Sequence, residues 1–171
     1  MKSALLGASA ALLIALFSAA PLRAEPPKPV PAPAWKLNGL DGATVTSAQF
    51  KGKVVVLDFW ATWCAPCKAE IPGYIELQKK YAAEGLVIVG ISKDDDGPKR
   101  QKTVKDFVDS HGMNYTIVFT DDDIEAALGG IDAIPTTYII DRDGNISSRK
   151  IGAMRTDEFE KRLLKVLRPP G

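Results

Sequence analysis

Asp58-Phe59-Trp60-Ala61-Thr62-Trp63-Cys64-Ala65-Pro66-Cys67 is the stretch on which the reading of this chain turns. Val54 to Trp60 is a nearly unbroken run of β-branched and aromatic residues, broken only by Asp58. That is the pattern of a central strand covered on both faces. A helix is predicted from Ala65 to about Glu84, with Pro72 expected to kink it and Gly85 to end it. The junction places Cys64 and Cys67, the two cysteines of the chain, at a helix N-terminus. Unpaired backbone N–H groups there amount to about half a positive charge. A thiolate in that field is stabilised, and its pKa falls from about 8.5 into the range of roughly 3.5–7.5.

Three chemistries are open to such a pair. A structural disulfide closing so short a loop constrains the unfolded chain weakly. A tetrahedral zinc site needs four ligands, and beyond the cysteines the chain offers one histidine, His111, which is placed as a structural residue at a helix C-terminus. Reversible redox exchange needs only the two sulfurs within one helical turn, and it is the preferred reading. No basic residue separates the cysteines. The Ala65-Pro66 pair therefore predicts a reducing couple, nearer roughly −270 mV than −120 mV.

Outward from this junction the pattern is regular. Upstream, Trp35 to Leu37 and Thr44 to Thr46 flank Asn38–Gly42 as a short hairpin. Ser47 to Phe50 is one helical turn, and Lys51 to Lys53 is a turn. Downstream, Cys67, Ile71, Tyr74, Ile75 and Gln78 form the predicted buried stripe of the first helix. Leu86 to Ile91 is a second buried strand. Pro98 is expected as the first residue of a helix whose inner stripe is Val104, Phe107, Val108 and His111. Tyr115 to Phe119 is a third strand, and Asp121 to Leu128 a short helix. Thr136 to Ile140 and Ile146 to Ile151 form a hairpin turning at Asp143-Gly144. Thr156 is expected to cap a last helix, buried through Phe159, Leu163, Val166 and Leu167. The acidic runs Asp94–Asp96 and Asp121–Asp123 read as solvated loop acids or helix starts. The fold class is α/β: a mixed sheet with helices on both faces.

The 171 residues are 46% hydrophobic and 25% charged, with net charge +1. That suits one domain with a proper core. The near-neutral balance gives no reason to expect nucleic acid as a partner. Residues 1–24 differ from the rest. Lys2, an apolar run from Ala4 to Ala20 and Pro21-Leu22-Arg23-Ala24 read as a signal peptide, or as an uncleaved single-helix anchor. Residues 25–33 hold five prolines and are expected to be an extended, solvated linker. The domain is placed at 34–171.

These residues carry a resemblance. The chain is similar to the thioredoxin superfamily, and within it to the exported TlpA/ResA-like thiol–disulfide oxidoreductases. Trp63-Cys64-Ala65-Pro66-Cys67 stands on a strand–helix junction. Ala133-Ile134-Pro135-Thr136 looks like the family's cis-proline loop, and Ile151-Gly152-Ala153 like its glycine loop before the last helix. The resemblance implies a thioredoxin-like sheet with an N-terminal β-hairpin and a central inserted αβ unit. It makes Cys64 the exposed attacking thiol and Cys67 the buried resolving thiol. Pro135 would be cis, with the Ile134 backbone offered to a substrate strand. Glu70 matches the family's helix glutamate. Asp58 matches the buried acid of thioredoxin, which also keeps a lysine on the next strand. Leu86 to Ile91 has no lysine, so the charge state of Asp58 stays open. So does the choice of Asp58 or Glu70 as the acid that takes the Cys67 proton.

The implied function is an exported, periplasmic oxidoreductase that reduces disulfides of partner proteins, as in c-type cytochrome maturation or copper delivery. Electrons would come from a membrane-bound donor. No cofactor or metal is implied. Trp63, Ala65, Pro66, Ile134 and Gly152 would form the surface that meets the substrate. A disulfide oxidase or isomerase remains an alternative, as does a Cu(I)-binding chaperone module without turnover.

Overall fold

The computed structural model describes residues 28–169. The leader or anchor placed at residues 1–24, and residues 25–27 of the proline-rich segment, lie outside the described residues.

Seven strands and four α-helices follow in the order β1 (Lys36–Asn38), β2 (Thr44–Thr46), β3 (Val54–Trp60), α1 (Ala65–Tyr81), β4 (Leu86–Ser92), α2 (Arg100–His111), β5 (Thr116–Phe119), α3 (Asp122–Ala127), β6 (Thr136–Ile140), β7 (Ile146–Ile151) and α4 (Thr156–Leu167). β1 and β2 pair antiparallel. The other five strands form one sheet in the order β5-β4-β3-β6-β7. Within it β3, β4 and β5 run parallel, and β6 and β7 antiparallel to their neighbours. The α2–β5 unit extends the parallel side, as the resemblance implied.

Strand alternation divides the core. Val55, Leu57 and Phe59 of β3 pack with Trp35, Leu37, Ile124 and Tyr138 beneath the hairpin and α3. Val54 and Val56 face the other way, onto Tyr74 and Leu77 of α1 and Phe159 and Leu163 of α4. Trp60, on that same side, packs with Cys67, Ile71 and Val104 between α1 and α2. Trp60 is thus a core residue, as its place in the apolar run suggested.

α1 ends at Tyr81, passes into a single 3-10 turn over Ala82–Glu84, and stops at Gly85 in a left-handed conformation (φ 91°) that glycine adopts freely. Its buried stripe is rotated from the expected one. Glu70, Gly73, Leu77 and Tyr81 join Cys67, Ile71 and Tyr74 inside, whereas Ile75 and Gln78 are half-buried. The cause is α4, which lies against α1 at Gly73. A Cβ built at Gly73 would fall 2.2 Å from Thr156 Oγ1. Thr156 is the first residue of α4 and makes no cap; Arg155 holds the N-cap position without a side-chain capping bond. Pro98 also departs from expectation. It lies in the turn before α2, two residues ahead of Arg100.

The proline-rich segment docks where it was expected to be solvated. Ile146 N–H donates to Val30 O (2.8 Å), and Ala32 N–H donates to Gly144 O (2.9 Å). Pro31 bridges Asn145 between them. Proline lacks the N–H that an inner strand must donate, yet its neighbours can still pair along an edge.

Candidate active site

β3 delivers the chain to the site, and α1 receives it. Cys64 is the N-cap of α1, and its sulfur accepts from Cys67 N–H at 3.2 Å. Pro66 lies in the first turn, where a missing N–H costs nothing. The cysteines form a disulfide of S–S distance 2.01 Å and Cα–Cα distance 5.3 Å. Cys64 was expected to be exposed. In this oxidised form it is 4% accessible, against 2% for Cys67. Each sulfur is covered by the other and by the cluster that includes Trp60, Ala61 and Ile134. The outward shoulder is Trp63, 63% exposed, followed by exposed Ala65 and Pro66.

The segment before Cys64 is fixed by a buried acid. Asp94 accepts from Thr62 N–H (3.1 Å), Thr62 Oγ1 (2.5 Å) and Ser92 Oγ (2.9 Å). Asp94 was read as a solvated loop acid; burial and these three donors correct that. Asp95 and Asp96 are exposed, as expected.

The loop facing the cysteines carries the cis peptide Ile134–Pro135, as the resemblance implied for Pro135. Thr136 Oγ1 donates to Ala133 O (2.7 Å), and Gly152 N–H donates to Pro135 O (2.8 Å). The structure therefore brings Ile134, Pro135 and Gly152 together. Ile151, just before Gly152, is 60% exposed. It adds an apolar side chain beside the proline loop.

Beneath α1 lies a buried polar group that joins three strands. Asp58 pairs in register with Thr137 of β6, which pairs with Lys150 of β7. Thr137 Oγ1 donates to Asp58 Oδ1 (2.9 Å) and lies 3.2 Å from Tyr74 Oη. Glu70, the other candidate acid, is 5% exposed and ion-paired with Lys150 Nζ. Its Oε1 also accepts from Met154 N–H at 2.8 Å. Burial, then the nearby Glu70 charge, pushes the Asp58 pKa up from 3.8 to about 7; the Lys150 ammonium and the Thr137 hydroxyl pull the other way. Burial also holds the Tyr74 and Tyr115 phenols well above the ordinary range. The lysine missing from β4 is thus replaced from the other side of the sheet. Sequence reading passed over Lys150, although it shares the parity of Ile146 and Ser148, the residues of β7 that are partly covered.

No group of three or more metal-ligating side chains occurs among the described residues. The fold and the disulfide at the start of α1 define a thioredoxin-like redox protein. Comparison with known proteins narrows this. The chain belongs to the AhpC/TSA family, whose profile matches residues 30–149. It is 36% identical over 132 residues to the thioredoxin-like protein YneN of Bacillus subtilis, covering 77% of this chain and 76% of that one. It is 31% identical over 135 residues to the thiol-disulfide oxidoreductase ResA of Bacillus anthracis, covering 79% and 76%. A solved thiol:disulfide interchange protein of Chlorobium tepidum superposes with TM-score 0.74 at 32% identity, covering 82% of this chain and 97% of that one. A secreted thiol-disulfide isomerase of Corynebacterium glutamicum does so with TM-score 0.72 at 25% identity, covering 80% and 84%. The chain is a thiol–disulfide oxidoreductase of the ResA/DsbE type, with its Cys-x-x-Cys pair at Cys64 and Cys67.

Proposed function

We propose that this protein works outside the cytoplasm as a reductant of disulfides in selected partner proteins, such as c-type cytochrome maturation or copper-delivery factors. The observation that carries the reading is the position of the Cys64–Cys67 bond: at the start of α1, next to an exposed tryptophan and under a cis-proline loop. After reduction by a membrane-bound donor, the Cys64 thiolate attacks a partner disulfide and forms a mixed disulfide. Cys67 then attacks Cys64 Sγ. The mixed bond breaks, the partner leaves as a dithiol, and the Cys64–Cys67 bond returns. Asp58 takes the Cys67 proton in that second step. Trp63, Ala65, Pro66, Ile134 and Gly152 form the surface against which the partner lies. The leader features of residues 1–24 and the secreted Corynebacterium relative support the location. No helix among the described residues is long and apolar enough to cross a membrane.

Trapping tests the reading. Cys67→Ala, expressed in full length with its leader, should hold partners covalently on Cys64, and dithiothreitol should release them. Release of c-type cytochrome or copper-delivery factors supports the proposal. Adducts confined to cytosolic proteins would refute it, and a measured potential near that of a strong oxidant would reverse the direction of electron flow.

A further inference from the structure

The two buried acids of the site are not equivalent, and the difference comes from one residue. Glu70 stands one helical turn after Cys67 on the buried stripe of α1. Its Oε1 receives the Lys150 ammonium and the Met154 amide. Both donors converge on Oε1, and the buried Oε2 has no partner among the described residues. Met154 follows Gly152 and Ala153, so the same carboxylate holds the loop whose Gly152 N–H is bonded to Pro135. Among the described residues no cation contacts Asp58. Its one side-chain bond comes from the neutral Thr137 hydroxyl. The charged or titratable groups around it are Glu70 and Tyr74 on α1, Lys150 on β7 and Tyr115 ahead of β5.

We propose that Lys150 is a positioning residue for the exchange reaction: it holds Glu70 as a fixed anion against the 152–154 loop and so leaves Asp58 as the acid that trades its proton with Cys67. Two carboxyls this close compete for one proton unless a cation settles which is charged. Lys150 reaches Glu70 and not Asp58 because Thr137 stands between it and Asp58 across the sheet. The ion pair is almost wholly buried, so removing one partner leaves an uncompensated charge. Removing both leaves Asp58 alone with its hydroxyl donor. This inference rests on Asp58 being the base named above.

The test follows resolution in the reduced full-length protein. Dithionitrobenzoate forms a mixed disulfide on Cys64, and Cys67 then displaces the second thionitrobenzoate, whose absorbance gives the rate. Profiles run from about pH 5 to about pH 9. The wild type should show one inflection near the Asp58 value of about 7. Glu70→Gln removes a neighbouring negative charge and should move the inflection down. Lys150→Met should give a broad two-step profile with its upper step above the wild-type value, because two buried carboxyls then share one proton. Lys150→Arg should keep a single step. Glu70→Gln combined with Lys150→Met should restore a single step. A Lys150→Met profile unchanged from wild type overturns the proposal. Should Lys150→Met fail to fold, an inflection that does not fall in Glu70→Gln overturns it instead. Asp58→Asn separates the two levels of inference. Loss of the inflection there supports Asp58 as the base whatever Lys150 does; its persistence refutes that assignment.

Discussion

A buried carboxyl held near neutrality costs the fold stability. Asp58 has a folded pKa of about 7 against 3.8 for the free acid. Between those values the folded chain binds more protons than the unfolded one, so stability falls as pH rises from about 4 to about 7. The full effect is on the order of 4 kcal/mol. Oxidised wild-type protein should therefore be more stable at about pH 4.5 than at about pH 8, relative to Asp58→Asn, in paired urea titrations. A constant difference between the two proteins across that range would show that Asp58 is not desolvated as described. Trp63 belongs to the same scale. Its 63% exposure places an apolar ring where a partner chain would bury it. Trp63→Ala should lower kcat/KM for protein disulfides by about ten-fold or more, while small disulfides react at the wild-type rate. Equal losses for both substrates would point to a disturbed thiol instead.

At the scale of elements, the crossing of α1 and α4 is a sensitive place. Gly73 is there because Thr156 leaves no room for a side chain. Gly73→Ala should cost about 1–3 kcal/mol of stability, read as a lower urea midpoint. Adding Thr156→Ala, which removes the two closest atoms, should recover part of it. Full additivity of the two changes would mean that the contact is not the cause. The same crossing shows what could be read from the residues alone. β3, β6 and β7 were predicted to the residue, because apolar runs and an Asp-Gly turn are local signals. The cysteines and Pro135 were legible because their motifs are contiguous. Lys150, and the burial of Glu70 and Asp94, were not, because each is held by partners about 30 to 80 residues away. A charged residue on a strand or helix is read as solvated unless its partner is known. The rotated stripe of α1 has the same origin: Gly73 carries no hydrophobic signal, and only α4 shows that it faces inward.

For the whole molecule, the pairing of Val30 and Ala32 with Gly144 and Ile146 extends the folded unit beyond the hairpin. Two backbone bonds at an edge are worth about 1–3 kcal/mol. A chain beginning at Ala34 should lose about that much stability and retain wild-type reduction of insulin. A fall in activity with stability intact would tie the segment to the site. Its position along the sheet matters too. β6 runs antiparallel to β3, with Thr136 beside Phe59 and Ile140 beside Val55. The turn that receives Val30 thus lies at the Val54 end of β3, about 20 Å from the Trp60 end that leads to the cysteines. If a retained leader moored the protein to a bilayer, the mooring line would run from the stern. The sulfur pair would then sit at the far end of the sheet from the tether.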